Sequence, residues 1–223
     1  MPETFATLFT DHVLHSFDKQ LHFADLHGRH AWDFQLSEGT ITFARTISYR
    51  IQVLGTEDNV SRTWLWGWAN DASPIPADLL IAAEQLREFG DEHSISELTV
   101  PQQPLDRLDG HNVGLIACGF ADAQAYYRCP YHNGALYVLI SDSSLYLPTD
   151  SEPLRVQSVI TQCLSAFSIE DQPRAIASYL RQKNYSVSES VNMLNVYRSS
   201  MEIMEIEFDH QGRIIEMEMK ISV

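Results

Sequence analysis

Between positions 109 and 132 the chain sets Asp109, His111, Asp122, Tyr126, Tyr127, Arg128 and His132 close together in sequence. An acid, an imidazole, a phenol and a guanidinium are the groups from which a general-acid site or an anion pocket is built. Each also has a plainer use. Asp109 suits a helix cap, Tyr126 and Tyr127 suit a strand, and His132 suits a turn. A second candidate is Trp64, Trp66 and Trp68, three of the four tryptophans, at every second position. A strand puts all three indoles on one face, where they can stack on a sugar or a peptide. Core packing is the simpler reading, with Gly67 and Ala69 on the opposite face letting a helix approach closely. The candidate ligand-binding set is therefore Trp64, Trp66, Trp68, Asp109, His111, Tyr126 and Arg128.

The nine histidines suggest no metal centre. His12 and His15 alternate with Asp11 and Asp18 on what reads as the wet face of a helix, and His27 and His30 flank its end. None has the tight spacing of a zinc motif. Cys118, Cys129 and Cys163 contain no Cys-x-x-Cys pair and are odd in number, which speaks against structural zinc and a disulfide framework. Cys118 sits among apolar residues, as an inert buried thiol would. No nucleophile elbow and no glycine-rich phosphate loop is present, so neither a catalytic residue nor a cofactor is expected.

Charge narrows the partners. Thirty acidic against fifteen basic side chains give a net charge of −15, which disfavours nucleic acid and suits a basic protein partner. The same charge also serves solubility. The start, Met1-Pro2-Glu3-Thr4, reads as no signal peptide, and no apolar run reaches the roughly 20 residues of a membrane span. A reducing cytoplasm is the expected setting.

These residues must be positioned by a mixed fold. Leu14, Phe17, Leu21 and Ala24 predict an amphipathic helix over 5–24, with Gly28 at its end. Strands are expected at 30–35, 40–43, 46–54 and 62–69, with Glu57-Asp58-Asn59 as a turn. A helix over 76–89 with Gly90 beyond it, a short strand at 95–100, a helix over 110–122 capped by Asp109, and a hairpin at 125–131 and 135–140 follow. Helices over 154–167 and 172–183 then lead to a three-stranded meander at 193–198, 201–208 and 213–221. In its last hairpin Met204, Ile206, Phe208, Ile215, Met217, Met219 and Ile221 share one face, and Glu205, Glu207, Glu216 and Glu218 the other. The expected class is α+β: antiparallel β-meanders packed against helices. The expected organisation is a domain over 1–145 with the Trp-rich strand, and a C-terminal helix-helix-three-strand subdomain over 146–223.

The run Thr63-Trp-Leu-Trp-Gly-Trp-Ala-Asn70 resembles the hallmark of a mostly bacterial family classed as a domain of unknown function. The resemblance continues through Pro76–Gly90, Leu98–Pro101, Asp109-Gly110-His111 and Ala125–Tyr131, so it covers about residues 30–140. It implies no activity that transfers to any residue here. Two functions are expected from the charge and the clustered residues. The first is a non-enzymatic protein-interaction module, immunity- or antitoxin-like, for a basic partner. The second is a small-ligand-binding protein or hydrolase-like enzyme with a pocket between the Trp strand and residues 109–132.

Overall fold

The computed structural model describes residues 3–28, 31–148 and 152–220. Its class is α+β, and its chain divides into two compact units. The first comprises residues 1–9 and 19–147, the second residues 10–18 and 148–223.

Helix α1 (Phe5–His27) starts at Thr4, whose side chain accepts from Thr7 N, and ends at Gly28, whose φ of 56° few other residues adopt. Its residues 10–18 belong to the second unit and the rest to the first. The first unit then runs β1 (Trp32–Gln35), β2 (Thr40–Phe43), β3 (Ile47–Asp58), β4 (Thr63–Trp66), α2 (Ile81–His93), α3 (Ser96–Thr99), β5 (Gln102–Pro104), α4 (Gly110–Phe120), β6 (Ala125–Tyr131) and β7 (Gly134–Ile140). All seven strands join one antiparallel sheet around the long β3. Along one edge β3 pairs with β2 and then β4, and along the other with β7; β1, β5 and β6 extend these neighbours.

Several expectations change here. Glu57 is not in a turn but inside β3, which runs on to Asp58. The Trp strand stops at Trp66, and Gly67–Ala69 coil into a 3-10 turn, so Trp68 leaves the row. The segment read as a strand at 95–100 is the short helix α3. Gly90 lies within α2, not past it, and its missing side chain leaves room for Leu98: a Cβ there would come 2.6 Å from the Leu98 Cβ. His30 lies outside the described residues.

One side of the sheet carries an apolar cluster that includes Ile41, Phe43, Tyr49, Ile51, Val53, Val138 and Ile140, with Phe23 of α1 on it. His27 stacks on Phe43 at 5.1 Å and its Nε2 is hydrogen-bonded to the Tyr49 hydroxyl at 2.9 Å. The other side faces α4, which brings the candidate residues together.

The second unit contains α5 (Pro153–Ala166), α6 (Gln172–Gln182), and a meander of four strands rather than three: β8 (Ser186–Ser190), β9 (Met193–Arg198), β10 (Met201–Phe208) and β11 (Ile214–Met219). The polar run Ser186-Val-Ser-Glu-Ser190 has no apolar alternation to announce an edge strand. Leu194, Val196, Met204, Ile206 and Phe208 are buried on the inner face. A β-bulge between Glu207 and Phe208 pairs Phe208 with Ile214, so Ile215, expected inside, is 61% exposed. Ile221 lies outside the described residues. Asp18, expected on the wet face of α1, is fully buried.

Candidate functional site

The pairing register assembles the site. Gln103, Trp64, Glu57 and Ala135 are cross-strand partners along one rung of the sheet, and Trp66, Gly55, Tyr137 and Arg128 along the rung two residues further on each strand, hence on the same face. Directly opposed residues share a face, so Glu57, Trp64, Tyr137 and Arg128 stand together. Helix α4 lies on this face because Gly110 and Gly114 leave room for it. A Cβ on Gly110 would come 2.6 Å from Tyr137 Cζ, and one on Gly114 2.6 Å from Tyr126 Cδ2.

Glu57 is the centre of the cluster and is only 7% exposed. Its Oε1 accepts from Gly110 N at 3.2 Å, at the first turn of α4, where the helix dipole favours a negative charge. Arg128 Nε donates to Glu57 Oε2 at 3.4 Å and to the Tyr137 hydroxyl at 3.2 Å. Tyr131 donates its hydroxyl to the Glu57 carbonyl at 3.1 Å. Asp109 caps α4 by accepting from His111 N and Asn112 N at 2.9 and 3.1 Å. His111 turns back over the sheet: Nδ1 is hydrogen-bonded to the Tyr126 hydroxyl at 3.0 Å, and its ring meets that of Tyr137 at 5.5 Å, edge to face.

Burial and the nearby carboxylates hold both phenols in their protonated form. Desolvation, then Cys118, Asp109 and Glu57, raises the pKa of Tyr126 well above the usual tyrosine value. Desolvation, then Glu57, does the same for Tyr137, against the opposing pull of Arg128.

Of the residues singled out in the sequence, Asp109, His111, Tyr126 and Arg128 thus converge on one hydrogen-bonded cluster. Trp64 borders it, with its ring 5.4 Å from that of Tyr137. Trp64 and Trp66 have no exposed surface, and Trp66 donates from Nε1 to Glu97 O at 3.1 Å. Trp68 lies elsewhere, stacked on Trp66 with the Arg87 guanidinium 4.4 Å above its ring. Asp122 is drawn to the other end of α4 by the buried Lys19, at 2.9 Å. His132 is an exposed turn residue. Glu57 and Tyr137 were missed because one resembles a turn residue and the other an apolar strand residue. The signal that could have found them is the Gly110/Gly114 pair, whose i, i+4 spacing marks a helix face that lies close on large side chains.

A second feature lies on the outer face of β10 and β11. Glu205 stands opposite Glu218, and Glu207 opposite Glu216. These four carboxylates line a shallow concavity. Lys220 reaches Glu202 and Glu205 at 2.7 and 2.6 Å, which leaves the Glu207–Glu216 rung without a basic partner among the described residues. No three His, Cys, Asp or Glu side chains among the described residues are grouped to hold a metal ion. Nor, among those residues, is any helix long and apolar enough to cross a membrane.

The class is now defined: an α+β protein with a glycine-faced helix over a polar-centred antiparallel sheet. The chain belongs to DUF6882, a family of unknown function, whose match spans residues 6–143. Comparison with curated proteins and with solved structures gave no match. The matched span contains the Glu57 cluster, and the acidic sheet face lies beyond it.

Proposed function

We propose that the protein is a non-enzymatic interaction module that receives a basic protein partner on the acidic face of β10 and β11, as an immunity protein or antitoxin receives a basic toxin. The observation that carries this reading is the ladder of like charges, Glu205 opposite Glu218 and Glu207 opposite Glu216. Like charges directly opposed across strands destabilise a sheet, so the arrangement costs the free protein stability that a cationic partner would restore. The net charge of −15 would speed encounter with such a partner. Three buried cysteines, each a thiol outside any disulfide, suit a reducing, cytoplasmic setting.

The test is a binding assay with the basic products of neighbouring genes at low and high salt. Retention at low salt and release at high salt is expected, because exposed charges are screened within about 10 Å at 0.1 M. The triple variant Glu207→Lys, Glu216→Lys, Glu218→Lys should lose the partner while remaining folded. Failure to retain any cationic partner at low salt would remove the proposal.

A further inference from the structure

We infer that His111 and Arg128 form a binding site for a small oxyanion, the phosphate or carboxylate group of a metabolite, at the start of α4. This site is independent of the acidic face of β10 and β11.

Within the protein Arg128 uses only its inner nitrogen. Nε is anchored on Glu57 and on the Tyr137 hydroxyl. Its two terminal amines have no hydrogen-bond partner among the described residues, and a third of the side chain is exposed. A guanidinium held in this way offers its outer fork to a second, bidentate acceptor, the geometry of carboxylate and phosphate recognition.

His111 is held in the same manner. Tyr126 keeps its proton, so its hydroxyl can donate to Nδ1, and in that arrangement the ring hydrogen stands on Nε2. Nε2 has no partner among the described residues, which makes it a second donor. Both groups rest on one support, since the His111 ring meets the Tyr137 ring at 5.5 Å and Arg128 Nε meets the Tyr137 hydroxyl at 3.2 Å.

The nearby carboxylates are already engaged. Glu57 is satisfied by Gly110 N and Arg128 Nε, and Asp109 by the amides of His111 and Asn112. The unused donors of the cluster are therefore those of Arg128 and His111, and the positive end of the α4 dipole adds to them. Buried Glu57, Tyr126 and Tyr137 hold the two donors in place, as a binding site requires of its supporting residues.

The full chain should be titrated with inorganic phosphate and, separately, with acetate, followed by calorimetry and by the NMR signals of the His111 ring and the Arg128 guanidinium. Saturable binding that moves both sets of signals is expected, and the stronger of the two anions identifies the ligand class. Arg128→Lys keeps a positive charge beside Glu57 but removes the fork, and His111→Gln removes the Nε2 donor. Each should weaken binding at least tenfold with an unchanged circular dichroism spectrum. If Arg128→Lys fails to fold, His111→Gln decides. No saturable binding of either anion to the folded chain, or binding that His111→Gln leaves unchanged, would overturn the inference.

Discussion

Asp18 and Lys183 form an ion pair from which water is excluded on both sides: Oδ2 and Nζ are 2.8 Å apart, and neither side chain has exposed surface. The remaining capacity of the carboxylate is filled. Tyr179 donates its hydroxyl to Oδ2 at 2.9 Å, and Arg155 donates from Nε and Nη2 to Oδ1 at 3.1 and 2.8 Å. Lys183 also donates to Pro148 O at 3.0 Å. This network joins residues 10–18 of α1 to α5 and α6 within the second unit.

Removing one partner should therefore cost far more than removing both. Lys183→Met is expected to destabilise the second unit by about 3–5 kcal/mol, because Asp18 then stays buried with only the part-exposed Arg155 as counter-charge. Adding Asp18→Leu to that variant should recover part of the loss. Tyr179→Phe should cost about 1.5–3 kcal/mol, as a lost hydrogen bond to a charged group. Urea unfolding of the three variants checks the order.

The two buried tryptophans should respond differently to the same change. Trp66→Phe loses both volume and the hydrogen bond to Glu97 O. Trp64→Phe loses similar volume, but its indole N–H is buried with no acceptor among the described residues. Replacing Trp64 thus relieves an unsatisfied donor, worth roughly 1–3 kcal/mol, whereas replacing Trp66 removes one of the two hydrogen bonds to Glu97 O and leaves the one from Gln103 Nε2. Trp64→Phe should be the milder substitution by at least about 1 kcal/mol in chemical denaturation.

Gly114→Ala should destabilise the protein, although alanine is the better helix former by about 1 kcal/mol. The added methyl would stand 2.6 Å from the Tyr126 ring, forcing α4 off the sheet at an expected net cost of about 1–3 kcal/mol. The His111 ring signal should shift in the same variant, since its hydrogen bond to Tyr126 spans the displaced contact.

Alkaline pH should weaken the fold in a defined window. Tyr126, Tyr137 and Tyr179 all have folded-state pKa values raised above the unfolded value of about 10, by desolvation first and then by neighbouring groups, Cys118 and Asp109 at Tyr126, Glu57 at Tyr137 and Asp18 at Tyr179. A raised folded-state value means that the native state holds these protons more tightly. Their contribution to stability is complete below about pH 10 and is lost as pH rises through the folded-state values. Absorbance titration at alkaline pH should show a class of tyrosines that ionises only with unfolding. A single transition with the midpoint of free tyrosine would contradict this.

Relief of the acidic ladder should stabilise the free protein. Glu207→Lys converts its pairing with Glu216 from repulsion to attraction, and the thermal midpoint should rise slightly at low salt. The rise should fade as salt is added.

The helices of this chain were legible because their causes are local. Gly28 ends α1 and Asp109 caps α4, each at the position that the sequence suggests. The hairpin from β6 to β7 and the alternation of β10 were legible for the same reason. Where a segment lacked such a cause, the reading failed. Ile95–Val100 is apolar enough for a strand, yet it folds as α3 against Gly90 of α2. Ile215 has the correct parity for the core, and a single bulge turns it out.

The candidate site divides along the same line. Sequence alone determined which residue types were available between 109 and 132, and that Asp109, His111, Tyr126 and Arg128 were worth attention. It also determined the net charge of −15. Only the tertiary structure decided that Glu57 would be buried among them, because its neighbours are set by the pairing of β3 with β4 and β7. It likewise decided that Asp18 would lie in the core and not in water. A carboxylate carries the same charge in either place, and its environment is chosen by residues more than fifty positions away. Those contacts leave no periodicity or cap in the local sequence.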